Sequence, residues 1–149
     1  ALSVFLDQID RQVRDKGGDV SVYISGLAAL GGNNTYYGSN PLALANDNVT
    51  IGVMPAQFGD GFTLESFSLE APVLDPRGTV DSLLKFIAPD VAGKNVTVLV
   101  QAYPASYTIE NNKMYTVDDI NAQIGAASQN GIISYIIYSP DGSYPQPDV

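Results

Sequence analysis

Thr116 to Tyr138 reads TVDDINAQIGAASQNGIISYIIY, and this stretch decides the fold. Thr116 followed three residues later by Asp119 approximates a capping box. Asp118 and Asp119 also stand where the positive end of a helix dipole favours carboxylates. Ile120, Ile124 and Ala127 supply an inward stripe at helical spacing, which predicts a helix over Thr116 to Asn130. Asn130-Gly131 ends it, because glycine accepts the positive φ that follows a helix. Ile132 to Tyr138 then runs on as a nearly continuous apolar strand. A capped helix leading directly into a strand is one unit of a helix–strand alternation.

Working outward, the same unit recurs. Asn95 to Tyr103 (NVTVLVQAY) is the strongest strand in the chain, preceded by a short helix over Thr79 to Ile87 with Thr79 as N-cap. Asn48 to Met54 (NVTIGVM) and Asp19 to Ser25 (DVSVYIS) are further strands. A helix over Leu2 to Lys16 precedes them, with Leu2, Phe5, Leu6, Ile9 and Val13 on one face and Gly17-Gly18 as its stop. Between these lie a Gly/Asn loop containing Tyr36-Tyr37 and a longer loop from Gly59 to Pro76, whose FTLESFSLE alternates as a short strand would. Residues 1–138 are expected to form a single α/β domain, and 139–149 (SPDGSYPQPDV) a proline-rich, extended tail. The three clearest strands look near-uniformly apolar, as a parallel sheet covered on both faces requires. The expected fold class is therefore α/β, with parallel strands alternating with helices. The alternative is a β-rich sandwich of antiparallel strands with two packed helices.

Composition narrows the chemistry. The 149 residues contain no His, no Cys and no Trp, with 7 Lys+Arg against 16 Asp+Glu and a formal net charge of −9. Catalytic triads, imidazole bases, His-ligated zinc, thiol nucleophiles and iron–sulfur clusters are excluded. The acidic balance argues against a nucleic-acid partner, and no apolar run approaches the roughly 20 residues of a membrane span. No EF-hand loop, P-loop or GxGxxG is present, so no metal or cofactor is expected, with Ca²⁺ held by acidic oxygens from separate loops as the alternative left open. No charged segment followed by an apolar one opens the chain, so any signal peptide is expected to have been removed already. Low charge with many Asn, Gly, Ser, Thr and Tyr favours an extracellular or cell-surface protein, an acidic cytosolic domain being the alternative. Three N-x-T sequons, at Asn33, Asn48 and Asn95, add to the first reading.

Four blocks, GGDVSVYISGLAAL, DNVTIGVMPAQFGDGF, DPRGTVDSLLKFIAPDVAGKNVTVLVQAY and YTVDDINAQIGAASQNGIISYIIYSP, resemble in order the C-terminal half of a bacterial glycoside-hydrolase-like (β/α)8 barrel family. The chain departs from that family's pattern at Ala56-Gln57-Phe58 after Met-Pro, and at Gln101-Ala102-Tyr103 at a strand end. The resemblance implies that barrel strands one to four, and most of the acids doing the chemistry, lie outside this chain. A full barrel needs about 200 residues or more. It also implies self-association or a complementary barrel segment as partner.

In a parallel α/β sheet, ligands bind beyond the carboxyl ends of the strands. That places Ser25, Met54, Gln57, Gln101, Tyr103 and Tyr138 near one rim. Gln57 and Gln101 offer donors and acceptors to sugar hydroxyls, and Tyr103 and Tyr138 offer rings that stack on a pyranose. Packing within the core or rim is the competing role for Met54, Tyr103 and Tyr138. The plausible acids are Asp60, Asp75, Glu110 and Asp141, none with a marking spacing, so the catalytic residues stay unknown. Three functions remain: a carbohydrate-active barrel segment, a filament or surface subunit without catalysis, and a non-catalytic sugar-binding module.

Overall fold

The computed structural model describes residues 2–31, 40–44, 47–104 and 113–146. Its elements are α1 (Leu2–Arg14), β1 (Val22–Ser25), α2 (Gly26–Leu30), α3 (Pro41–Leu44), β2 (Asn48–Gly52), a 3-10 turn (Pro55–Phe58), β3 (Gly61–Leu64), β4 (Phe67–Glu70), α4 (Pro76–Ile87), β5 (Asn95–Gln101), α5 (Val117–Gln129) and β6 (Ser134–Tyr138). Four strands make one sheet in the order β1-β2-β5-β6, and every neighbouring pair is parallel. Each successive strand of this sheet is added on the same side of the one before it. The arrangement is α/β, with parallel strands alternating with helices, consistent with part of a barrel; among the described residues no closed barrel forms. The sandwich alternative is excluded by strand direction. FTLESFSLE is not one strand but the antiparallel hairpin β3-β4, turned at Glu65, whose φ of 53° breaks the extended run.

Side chains that pair across a parallel ladder point to the same face. Ile24, Ile51, Val98 and Tyr135 line up on one face, and Tyr23, Thr50, Thr97 and Ser134 on the other. On the first face Ile24, Val49, Ile51, Val98 and Val100 are buried against Leu83, Leu84 and Ile87 of α4, Ala126 and Ala127 of α5, and α2. The second face carries Tyr23, Thr50, Thr97, Leu99, Ser134 and Ile136, which are half-buried or exposed, while Gly52 and Gln101 toward its carboxyl end are buried. The expectation of strands covered on both faces therefore fails. Aliphatic residues alternate with small polar ones in β2 and in the first half of β5, and the helices cover only the face that carries Ile24, Ile51, Val98 and Val100. β6 is exposed along its whole length, including Tyr135 (48%) and Ile137 (38%) on the helix side.

Several boundaries move for local reasons. α4 begins at Pro76, not near Thr79: Asp75 is the N-cap, accepting from the Gly78 N–H at 2.9 Å. Pro76 occupies the first turn, where its missing N–H leaves no bond unmade. Thr79 is buried instead, its hydroxyl donating to the Pro72 carbonyl at 3.0 Å. α5 carries the expected capping box, with Thr116 and Asp119 each accepting the other's backbone N–H, and Gly131 follows it at φ 79°. β1 starts at Val22 and α1 ends at Arg14. Phe5, Leu6, Ile9 and Val13 of the α1 stripe are not built into the core, and Val4 and Phe5 are 68% and 57% exposed. Gly26, at the β1–α2 junction, permits a close approach. A Cβ there would lie 2.7 Å from the Gly52 carbonyl oxygen and 3.1 Å from the Phe58 ring.

Candidate functional site: the carboxyl rim of the sheet

The rim is assembled by side chains that tie one strand end to the next. Gln57, in the turn after β2, accepts from the Gly26 N–H at 3.2 Å and so joins the ends of β1 and β2. Gln101, the last residue of β5, accepts from the Ala56 N–H and donates to the Tyr103 carbonyl, each at 2.9 Å. Its side chain is fully buried, so Gln101 shapes the rim from beneath. Gln123 of α5 is fully buried too and forms a two-way clamp on the Gln101 backbone. Its Oε1 accepts from the Gln101 N–H at 3.0 Å and its Nε2 donates to the Gln101 carbonyl at 2.9 Å. Buried amides left without such partners would each cost about 1–3 kcal/mol, so these links fix where β5 ends and where Tyr103 begins.

Above this base stand the aromatics. Tyr103 and Tyr138 meet edge to face, with ring centroids 6.0 Å apart and planes at 88°. The Tyr103 hydroxyl donates to the Met54 sulfur at 3.7 Å. Tyr138 is 38% exposed, Tyr103 half-buried and Met54 buried. The structure thus brings Gln101, Tyr103, Tyr138 and Met54 together at the ends of β2, β5 and β6. Gln57 sits one step along the rim, toward β1. Among the described residues its Nε2 has no partner, which leaves its donors available. Sequence reasoning missed Gln123. Its signal was a polar residue among the inward-facing positions of α5, beside Ile120, Ile124 and Ala127.

The acidic candidates do not converge. Asp75 caps α4. Asp141 accepts from the Ser143 N–H at 2.9 Å and the Ser139 hydroxyl at 2.8 Å, and these bonds hold its carboxyl below the usual range. Asp60 is exposed ahead of the β3-β4 hairpin, and Glu110 and Tyr36-Tyr37 lie outside the described residues. Asp119 is half-buried beside Lys113, with Nζ to Oδ1 at 2.8 Å. Burial, the largest single effect, raises its pKa, but Lys113 and the Thr116 N–H and hydroxyl together bring it below the ordinary carboxyl value. Nearby, burial first and then the charge of Asp119 push the Tyr115 phenol far up, and its hydroxyl donates to the Val73 carbonyl at 3.1 Å. Among the described residues no group of three or more His, Cys, Asp or Glu could hold a metal ion, and no helix is long and apolar enough to cross a membrane.

The parallel strands thus end in a polar and aromatic rim at the carboxyl end of the sheet. The chain belongs to the family described as "Putative glycosyl hydrolase domain", which it matches over residues 1–144. No curated protein and no solved structure matches it.

Proposed function

We propose that this chain contributes the sugar-binding rim of a glycoside-hydrolase-like (β/α)8-type barrel, with the catalytic acids supplied from outside it. The observation that carries this reading is the Tyr103–Tyr138 pair at the carboxyl ends of β5 and β6, in a chain of a glycosyl hydrolase family. Two rings at right angles present one face to a pyranose while the other braces it, and Gln57 adds amide donors for hydroxyls. The four strands follow one another in space as they do in sequence, as in a (β/α)8 barrel. Among the described residues both edges, β1 and β6, pair with no further strand, which suits a complementary barrel segment. Glycoside hydrolysis uses two carboxylates about 5–5.5 Å or about 6.5–9.5 Å apart. Asp75 and Asp141 are engaged in local turns, which favours a source outside the chain. The filament reading drew on antiparallel strands, and the main sheet is parallel. Low charge and an Asn-, Gly-, Ser- and Thr-rich composition favour a place outside the cell or at its surface.

Calorimetric titration with cellohexaose, maltohexaose and chitohexaose tests the rim. Tyr138→Ala and Tyr103→Ala should each weaken binding about five- to tenfold, the scale of one aromatic contact. Affinities unchanged in both variants would sink the carbohydrate reading.

A further inference from the structure

The net charge of the chain is gathered at one end of the sheet. The connections that leave the carboxyl ends of β2, β5 and β6 span 53–75, 102–116 and 139–149, and Asp118 and Asp119 follow at the start of α5. These segments and the two aspartates hold nine of the 16 acids and one of the 7 bases, a balance of −8. The rest of the chain, with seven acids and six bases, comes to −1. Helix α2, which follows β1 directly, carries no charge. Carboxylates that served only solubility would be spread over both ends, whereas a rim of one sign concentrates ligands of the opposite sign. Resting on the sugar-binding reading of that rim, we propose that the glycan taken there is cationic, built of amino sugars whose nitrogen carries no acyl group.

The parts of the rim suit an ammonium. A cation is attracted to the face of a tyrosine ring within about 6 Å of its centroid, and Tyr103 and Tyr138 stand there at right angles. Asp141 is exposed and follows Tyr138 by three residues, with Ser139 between them buried. The Ser139 hydroxyl and the Ser143 N–H both donate to Asp141 Oδ1, so Oδ2 keeps its lone pairs for a ligand. A carboxylate fixed by its own turn thus stands three residues from a ring on which a sugar stacks. An anionic glycan finds no such partner. Lys113 is the one base in these segments, and its Nζ lies 2.8 Å from Asp119 Oδ1. Among the described residues no group of three acids could hold a metal ion, so the charge acts as a field over the rim.

The test is calorimetric titration of the whole chain, in mildly acidic buffer, with three β-1,4-linked hexamers that differ in charge: glucosamine, N-acetylglucosamine and glucuronic acid. At low ionic strength the glucosamine hexamer should bind about tenfold or more tighter than its acetylated counterpart, the low end of what a one-signed surface achieves. The glucuronic acid hexamer should not bind. In about 1 M salt, where the Debye length falls to about 3 Å, the preference should vanish. Asp141→Asn should remove about two- to fivefold of it, the scale of one exposed ion pair. Asp90→Asn, which takes the same charge from the exposed connection between α4 and β5, should leave it unchanged. The salt series on the unaltered chain stands even if Asp141→Asn fails to fold. Equal affinity for the two aminohexose hexamers, or binding of the uronate, would overturn the cationic assignment and leave the sugar rim standing. Glucosamine binding that survives Tyr138→Ala at full strength, or that falls as far with Asp90→Asn as with Asp141→Asn, would overturn it as general charge attraction. Binding of none of the hexamers would remove the sugar rim and the cationic assignment together.

Discussion

On the helix side of the sheet, Ile24, Ile51, Val98 and Val100 expose 4% of their surface or less. One residue back on the same strands, Tyr23, Thr50, Thr97 and Leu99 stay half-buried or exposed. The contrast shows a division of labour. The aliphatic face, covered by α2, α4 and α5, holds the fold together, and the hydroxyl-rich face is left free to meet something else. Were both faces equally structural, adjacent residues would matter equally. Ile51→Ala removes a fully buried side chain and should cost about 3 kcal/mol. Thr50→Ala, its neighbour, loses one exposed hydroxyl pair and should cost less than about 1 kcal/mol. Urea unfolding of the two variants measures the gap, and similar losses would break the comparison.

A middle-sized effect is expected where the helix layer reaches through to the rim. Gln123 is the only side chain of α5 shown bonding the Gln101 backbone, and it contacts both its N–H and its carbonyl. Gln123→Leu keeps the volume but strands two buried backbone groups, and should destabilise by about 2 kcal/mol. Because Gln101 in turn holds Ala56 and Tyr103, the variant should also weaken sugar binding at the rim, whereas Ile51→Ala at sub-denaturing temperature should not. A Gln123→Leu protein with wild-type stability would show that the clamp is incidental.

Much of this was readable in the residues, though not always for the right reason. The capping box at Thr116 and Asp119 and the stop at Gly131 mark α5 correctly, because caps are local chemistry. Parallel pairing also follows from the alternation of helices and strands. The uniform apolarity used to support it, however, was a misreading of NVTIGVM and NVTVLVQAY. Val49, Ile51 and Val53, like Val96, Val98 and Val100, alternate with Asn, Thr, Gly, Leu and Gln, a pattern of one covered face. The start of α4 was missed because Thr79 looks like a cap, while the Asp75-Pro76 pair carries the stronger signal. At the rim, Tyr103 and Tyr138 were legible as a pair because both end strands. The burial of Gln101 was not, since its partners Ala56 and Gln123 are distant in sequence and meet only through the fold.

A smaller effect than that at Gln123 tests whether the helix-covered face has an acid-sensitive point. Asp119 is tied to Lys113 and to the Thr116 backbone at the start of α5, and its folded pKa lies below the ordinary 3.8. A carboxyl depressed in the folded state adds stability that is complete above its unfolded pKa and lost as pH falls through its folded one. Asp119→Asn should therefore cost about 1 kcal/mol at neutral pH, the scale of one lost cap, and progressively less below pH 3.8. Paired urea titrations of wild type and variant at neutral pH and near pH 3 read the difference. A gap of equal size at both would assign the loss to packing of α5 rather than to the charge at its cap. Aliphatic burial has no such titration, so a gap that closes in acid would set the cap of α5 apart from the Ile and Val contacts beneath it.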